Sequence, residues 1–139
     1  MSISLQEARI MIDAAIANAG GTGQNVAVAV VNEWGHIVSI DKMDGAALNR
    51  DRFAVAKAFT TLLLQGPTSE AARFRETAPD RYNSTPSLFP GEVYYVGGGV
   101  PLEVDGKVIG AIGVAGARGT GLDEKIAEVG IAAWRSRAQ

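Results

Sequence analysis

Five residues between positions 50 and 61 share one side of a helix if that segment is helical. They are Arg50, Phe53, Lys57, Thr60 and Thr61, at offsets of three, four and seven. A guanidinium, an aromatic ring, an ammonium and two hydroxyls on one face suit a ligand that is partly flat and anionic. Lys57 sits between Ala56 and Ala58, so its stem has room to pack while its ammonium meets a ligand carboxylate. The same spacing also describes a solvated face with Lys57 in an ordinary salt bridge. Two glycine-rich segments offer different chemistry. Gly97-Gly98-Gly99, three residues after Tyr94, is either a backbone surface that a ligand approaches or a bulge that needs positive φ. The segment "GARGTGLDE" (116–124) joins an apolar run to a helix start. Free amides there, with Arg118, would hold a carboxylate or phosphate. In the plainer alternative, Thr120, Asp123 and Glu124 cap the helix themselves. The lysine and the spacing of a Walker or Rossmann loop are missing.

Lys57 and Arg118, with Asp44, Asp123 or Glu124 as acid or base, would also serve a cofactor-independent isomerase, tautomerase or lyase acting on a small carboxylic acid. Other chemistries are excluded. The chain has no cysteine, which removes disulfides, thiolate nucleophiles and Cys-ligated metals. Its one histidine, His36, follows a Trp34-Gly35 turn and reads as an exposed turn residue. One histidine rules out a His-rich zinc site, and no metal ligands are assigned. Thirteen basic residues against fifteen acidic ones give a net charge of −2, which is not the basic stripe of a nucleic-acid binder. No apolar run reaches the roughly 18 residues that cross a bilayer. The first residues, "MSISLQEARIMIDAAIANAGG", interleave apolar positions with Gln6, Glu7, Arg9 and Asp13. They lack a signal peptide's basic start, so a cytoplasmic location is expected.

The 139 residues suit one domain, 1–139. Ser4 and Glu7 form a capping box. Leu5, Ala8, Ile12, Ala15, Ile16 and Ala19 then repeat at helical spacing up to Gly20-Gly21. "VAVAVV" (26–31) suits a strand buried on both faces, and "IVSIDKM" (37–43) returns beside it. A second helix starts near Arg50, with Val55, Phe59, Leu62 and Leu63 as its core stripe. A short helix is expected from Ser69 to Arg75. Residues 77–92 read as a long loop. Its Arg73, Arg75, Arg81, Tyr82 and Asn83 neighbourhood is a lid or, with Pro86, Leu88, Phe89 and Pro90, a subunit contact. "EVYYVG" (92–97) and "VPLEV" (100–104) read as strands, Asp105-Gly106 as a hairpin turn, and "VIGAIGVAG" (108–116) as a buried central strand. Gly110 and Gly113 let a helix pack closely. Leu122, Ile126, Val129 and Ala133 face inward on a last helix. The predicted class is α+β, a mostly antiparallel five-stranded sheet covered by helices on both faces.

"KMDGA" (42–46), "AVAKAFTT" (54–61), "GGGVPLEVDGKVIGAIGVAGA" (97–117) and "DEKIAEVGIAAW" (123–134) follow one another at near-fixed spacing. Together they resemble the GlcG/HbpS family, which also supplies the C-terminal domain of PduO-type cobalamin adenosyltransferases. The resemblance covers nearly the whole chain. It implies a profilin-like fold, a homo-oligomer that is often an octamer, and heme as the small-molecule ligand, in a protein accessory to a catabolic pathway. It matches Lys57 and Thr60 to the family pattern. Family members ligate heme iron variously, some through a first-helix histidine and some through a threonine oxygen. This chain has no histidine in its first helix. Thr60, Thr61, Tyr94 or Tyr95 would then have to serve. The Ala-rich helices with Trp34 and Trp134 suit subunit packing.

Overall fold

The two central strands alternate large and small residues, and that alternation sets the layers. The computed structural model describes residues 2–137. Strand β1 (Ala27–Asn32) lies between β2 (Ile37–Lys42) and β4 (Lys107–Ala115). Strand β3 (Gly99–Val104) closes the other edge, giving a four-stranded sheet of order β2-β1-β4-β3. All three pairings are antiparallel. Successive side chains on a strand point to opposite faces. Val28, Val30, Ile112 and Val114 therefore share one face, buried with α1 (Leu5–Gly21) and α5 (Leu122–Arg137). Ala27, Ala29, Ala111 and Ala115 share the other, against Ala54 and Ala58 of α2 (Arg50–Leu64). One face carries branched side chains and the other, Val31 apart, mostly methyl groups on the two central strands.

That small face brings the backbone of α2 onto the sheet. A Cβ at Gly113 would collide with the Ala54 carbonyl oxygen and stand 2.9 Å from Ala58 N. Gly99, the cross-strand partner of Gly113, has the Lys57 carbonyl in the same position. Hence the inner face of α2 is Ala54, Lys57, Ala58 and Thr61. Val55, Phe59, Leu62 and Leu63, the expected stripe, are only half-buried, because nothing larger than a methyl fits over the glycines. Gly110 works differently: its missing Cβ makes room for the Val31 carbonyl and Ile3.

The capping box forms as expected, Glu7 N donating to Ser4 Oγ and Ser4 N to Glu7 Oε1, both at 3.1 Å. Glu7 Oε2 also accepts from Trp134 Nε1 at 2.6 Å. Trp134 is thus buried inside the chain, while Trp34 is 69% exposed. Gly130 lets α5 approach α1, since a Cβ there would lie 2.7 Å from the Met11 carbonyl. The inner face of α5 is therefore Ile126, Ala127, Gly130, Ile131 and Trp134. Val129, expected inside, is exposed, and so is Leu5 of α1. The Asp105-Gly106 turn has positive φ at both residues, 51° and 77°, as a type I′ hairpin requires.

Two expectations fail. The sheet has four strands, not five, because residues 92–97 do not pair into it. Tyr94 N donates instead to Thr60 Oγ1 at 2.8 Å, and Gly98 adopts φ 129° before β3 begins. The segment 77–92 is not a continuous loop. After a 3-10 turn (Thr68–Glu70) and α3 (Ala71–Thr77), a helix α4 runs Pro79–Leu88 with no buried residue. Pro79 occupies the helix start, where proline is favoured, and the Tyr82 and Tyr95 rings stack at 4.0 Å to hold α4 down. No helix of the described residues is long and apolar enough to cross a membrane.

Candidate functional site

Lys57 reaches from the close-packed face of α2 to the end of β4. Its Nζ donates to the Val114 carbonyl at 2.9 Å and to Asp123 Oδ2 at 3.0 Å. The lysine side chain is 3% exposed and that of Asp123 17%. Asp123 Oδ1 accepts from Ala117 N at 2.9 Å, so one carboxylate ties α2, the end of β4 and the start of α5 together. Burial pushes the Lys57 ammonium below the ordinary lysine range. Asp123 opposes this through its charge and hydrogen bond, and Arg50 adds to the lowering by repulsion.

The glycine triplet divides its work. A Cβ at Gly98 would sit 3.0 Å from both Lys57 Nζ and Asp123 Cβ, and would strike the Val114 carbonyl. Only glycine allows that backbone to cover the ammonium. Gly99 N donates to the buried Thr68 Oγ1 at 2.8 Å. Gly97 instead lines an open groove of about 650 Å³, together with Val96, Ala117, Gly119, Thr120 and Gly121. Ser69, Asp123 and Glu124 complete the lining, with Ser69 Oγ donating to Glu124 Oε1 at 2.7 Å. Both glycine segments singled out in the sequence thus border one groove. Its volume lies within the ~300–1,000 Å³ of small-molecule sites. At the start of α5, Asp123 and Glu124 lie in the first turn and supply the negative charge that end favours.

An aromatic stack adjoins the ion pair. Phe53 and Tyr94 lie parallel with centroids 5.0 Å apart. Arg50 Cζ stands 5.0 Å over Phe53, and Lys57 Nζ lies 5.9 Å from the Tyr94 ring centre. Thr60 is fully buried and holds the backbone of Tyr94. Thr61 is fully buried as well, its hydroxyl without a partner among the described residues. Arg118 is exposed, its backbone N donating to Gln24 Oε1 at 2.9 Å. Its side of the molecule holds a second cavity of about 310 Å³ with Asn25, Gly45 and Gly116. Arg50 is near that cavity too: a Cβ at Gly116 would lie 3.6 Å from Arg50 Cγ.

Other candidates lie apart. Asp44 is exposed and borders a separate hollow with Ile40 and Met43. His36 is exposed beyond the far end of β1, some ~20 Å of strand from Ala27 at the site end. Arg73 borders a small cavity with Phe74 and Thr77. Among the described residues no group of three or more His, Asp or Glu could hold a metal ion. Thr68, Ser69 and Val96 carry no sequence signal, being single polar or apolar residues at turns.

The family model described as "Haem degrading protein HbpS-like" matches residues 3–132. The chain belongs to the HbpS-like family. It is 30% identical over 113 residues to Protein GlcG of Escherichia coli K12, covering 81% of each chain. A double mutant of HbpS from Streptomyces reticuli superposes with a TM-score of 0.84 at 34% identity, over 95% of this chain and 86% of that one. A PduOC:heme complex superposes with the same TM-score at 27% identity, over 96% of this chain and 95% of the other. The α+β fold with its antiparallel sheet is therefore that of the HbpS-like family.

Proposed function

We propose that this chain binds heme or a similar tetrapyrrole without catalysing a reaction on it, as a cytoplasmic homo-oligomer accessory to a catabolic pathway. The observation that carries this reading is the stack of Arg50, Phe53 and Tyr94 beside the glycine-bordered end of the sheet. A macrocycle edged by carboxylates needs an aromatic surface and cations, and the stack supplies the surface and one guanidinium. Arg118, sharing the neighbourhood of Gly116 with Arg50, supplies a second. The PduOC relative crystallised as a heme complex supports the same assignment.

The residues present fit this group with one restriction. Heme iron is held by His, Met, Cys or Tyr, and in the stack only Tyr94 is of these types. Thr60 fixes the Tyr94 backbone beside α2. When bound, heme supplies an iron centre for redox and oxygen chemistry. The chain's residues would hold its face on Phe53 and its acids at Arg50 and Arg118, with Tyr94 the phenol of iron-ligand type. Oligomer formation is supported by exposed apolar side chains at Trp34, Ile37, Leu48 and Leu88, from 56% to 81% exposed.

Titration with hemin, followed at the Soret band, tests the reading. A saturable band is expected. Arg50→Ala should weaken binding about tenfold, in line with the ~1.5–3 kcal/mol of a charged hydrogen bond, and Tyr94→Phe should shift the band position. A non-saturating response equal to that of an unrelated protein would overturn it. A monomer mass by light scattering at micromolar concentration would overturn the oligomer.

A further inference from the structure

We propose that Lys57 is an imine-forming amine and that the groove beside it receives a small, uncharged aldehyde or ketone. Three observations lead there. The ammonium is almost wholly buried, in an ion pair with Asp123. Replacing a buried ion pair by apolar groups is often neutral or stabilising, so stability alone does not account for it. A proton acceptor, Asp123 Oδ2, stands 3.0 Å away and also lines the groove, so this one side chain links the amine to the groove. Residue 98 must be glycine for the backbone to lie against Nζ, which shapes the chain around the amine itself.

The lining names the ligand class. Asp123 and Glu124 are its charged side chains, and no basic side chain lines it. An anionic oxo acid is repelled there, whereas a neutral carbonyl is not. The lowered proton affinity of Lys57 is the property that amine nucleophiles need.

The chemistry balances without a further reactant. The ammonium passes a proton to Asp123 Oδ2, and the freed nitrogen lone pair forms a bond to the carbonyl carbon. The carbonyl π pair moves to oxygen, which takes the proton back from Asp123 to give a carbinolamine. Asp123 next removes a proton from nitrogen and delivers it to the hydroxyl. The C–O bond breaks, water leaves, and the nitrogen lone pair closes the C=N bond. Ammonium and carbonyl become iminium and water, with the carboxylate regenerated. Asp123 is the proton carrier in each step.

The chain offers its own controls, because it has four lysines. Lys42, Lys107 and Lys125 are exposed and Lys57 is buried. The full chain would be treated briefly with propionaldehyde and cyanoborohydride at neutral pH, and the alkylated lysines mapped by peptide mass. The expected result is alkylation of Lys57 at least about tenfold faster than the other three, lost in Lys57→Arg and about tenfold slower in Asp123→Asn. Burial alone predicts the reverse order, and finding Lys57 the slowest in the unaltered chain would overturn the proposal. That comparison needs no variant, so an Asp123→Asn protein that fails to fold leaves it intact. Glyoxylate alkylating Lys57 faster than propionaldehyde would overturn the uncharged-ligand assignment. This site is independent of heme, and a negative hemin titration leaves it standing.

Discussion

Removing the Lys57 ammonium while keeping its bulk should destabilise the fold by about 2 kcal/mol. The figure follows from the geometry. Breaking a fully buried pair by deleting one partner costs roughly 3–5 kcal/mol, because the other charge is left uncompensated. Asp123 is 17% exposed and keeps the Ala117 N–H bond, so it is partly solvated and partly satisfied, which places the effect below that range. Lys57→Met conserves the stem that packs under Gly98 and adds no cavity. Asp123→Asn should cost at least as much, about 2 kcal/mol, since it strands the more deeply buried ammonium with Val114 O as its remaining partner. The double variant holds no charge, and its loss should be near that of the milder single change. The coupling in a double-mutant cycle is then about 2 kcal/mol. Urea unfolding measures it: with a slope of roughly 2 kcal/mol per molar, Lys57→Met lowers the midpoint by about 1 M. A coupling below about 0.5 kcal/mol, the worth of an exposed bridge, would refute the claim that this pair is buried and mutually dependent.

Two further outcomes follow from the same face of the sheet. Lys57 binds its proton less tightly in the folded chain than in the unfolded one, so between its lowered folded value and the ordinary 10.5 the unfolded state carries more protons. Stability contributed by this group therefore rises with pH across that window, and the difference in unfolding free energy between the parent and Lys57→Met should change with that sign. Equal pH slopes for the two proteins would contradict it. Gly113→Ala should destabilise by about 3 kcal/mol, the upper end of overpacking effects, because its Cβ meets the backbone of α2 rather than a movable side chain. Adding Ala54→Gly should bring no recovery in thermal melts. Recovery would show that the obstruction is a side chain.

Much of this arrangement could be read from residue order. The Ser4/Glu7 box, the Asp105-Gly106 turn and the fully buried run 26–31 are local patterns with local causes, and each appears as expected. The misreadings share another cause. "EVYYVG" has strand-like residues, but its tyrosines are stacked on Phe53 and Tyr82 and a backbone N–H is spent on Thr60. Those partners lie 13 to 41 positions away in sequence, where periodicity carries no information. Helix α4 buries nothing, so no apolar period marks it. On α2, size misled: the large residues looked like core, while the true inner face, Ala54, Lys57, Ala58 and Thr61, repeats at the same helical spacing in small and polar types. The two glycine segments were legible as strand ends, but only the fold shows that they border one groove.

That inversion of α2 connects packing to the site. A helix held off a sheet by leucines and phenylalanines stands about 10 Å away, a distance a lysine crosses only by exposing its ammonium elsewhere. Here Gly99 and Gly113 draw the helix backbone into contact with the sheet. Lys57 then needs only its own stem to reach the Val114 carbonyl at the strand end. The glycines and the buried lysine are one device: remove the close approach and the ammonium no longer meets Asp123. Substitution at Gly99 or Gly113 should consequently disturb the chemistry of Lys57 as well as stability, although neither residue lines the groove. Aldehyde alkylation of a folded Gly113→Ala protein separates the two effects. If Lys57 kept its rate while the helix moved, the ammonium would owe its position to Asp123 alone.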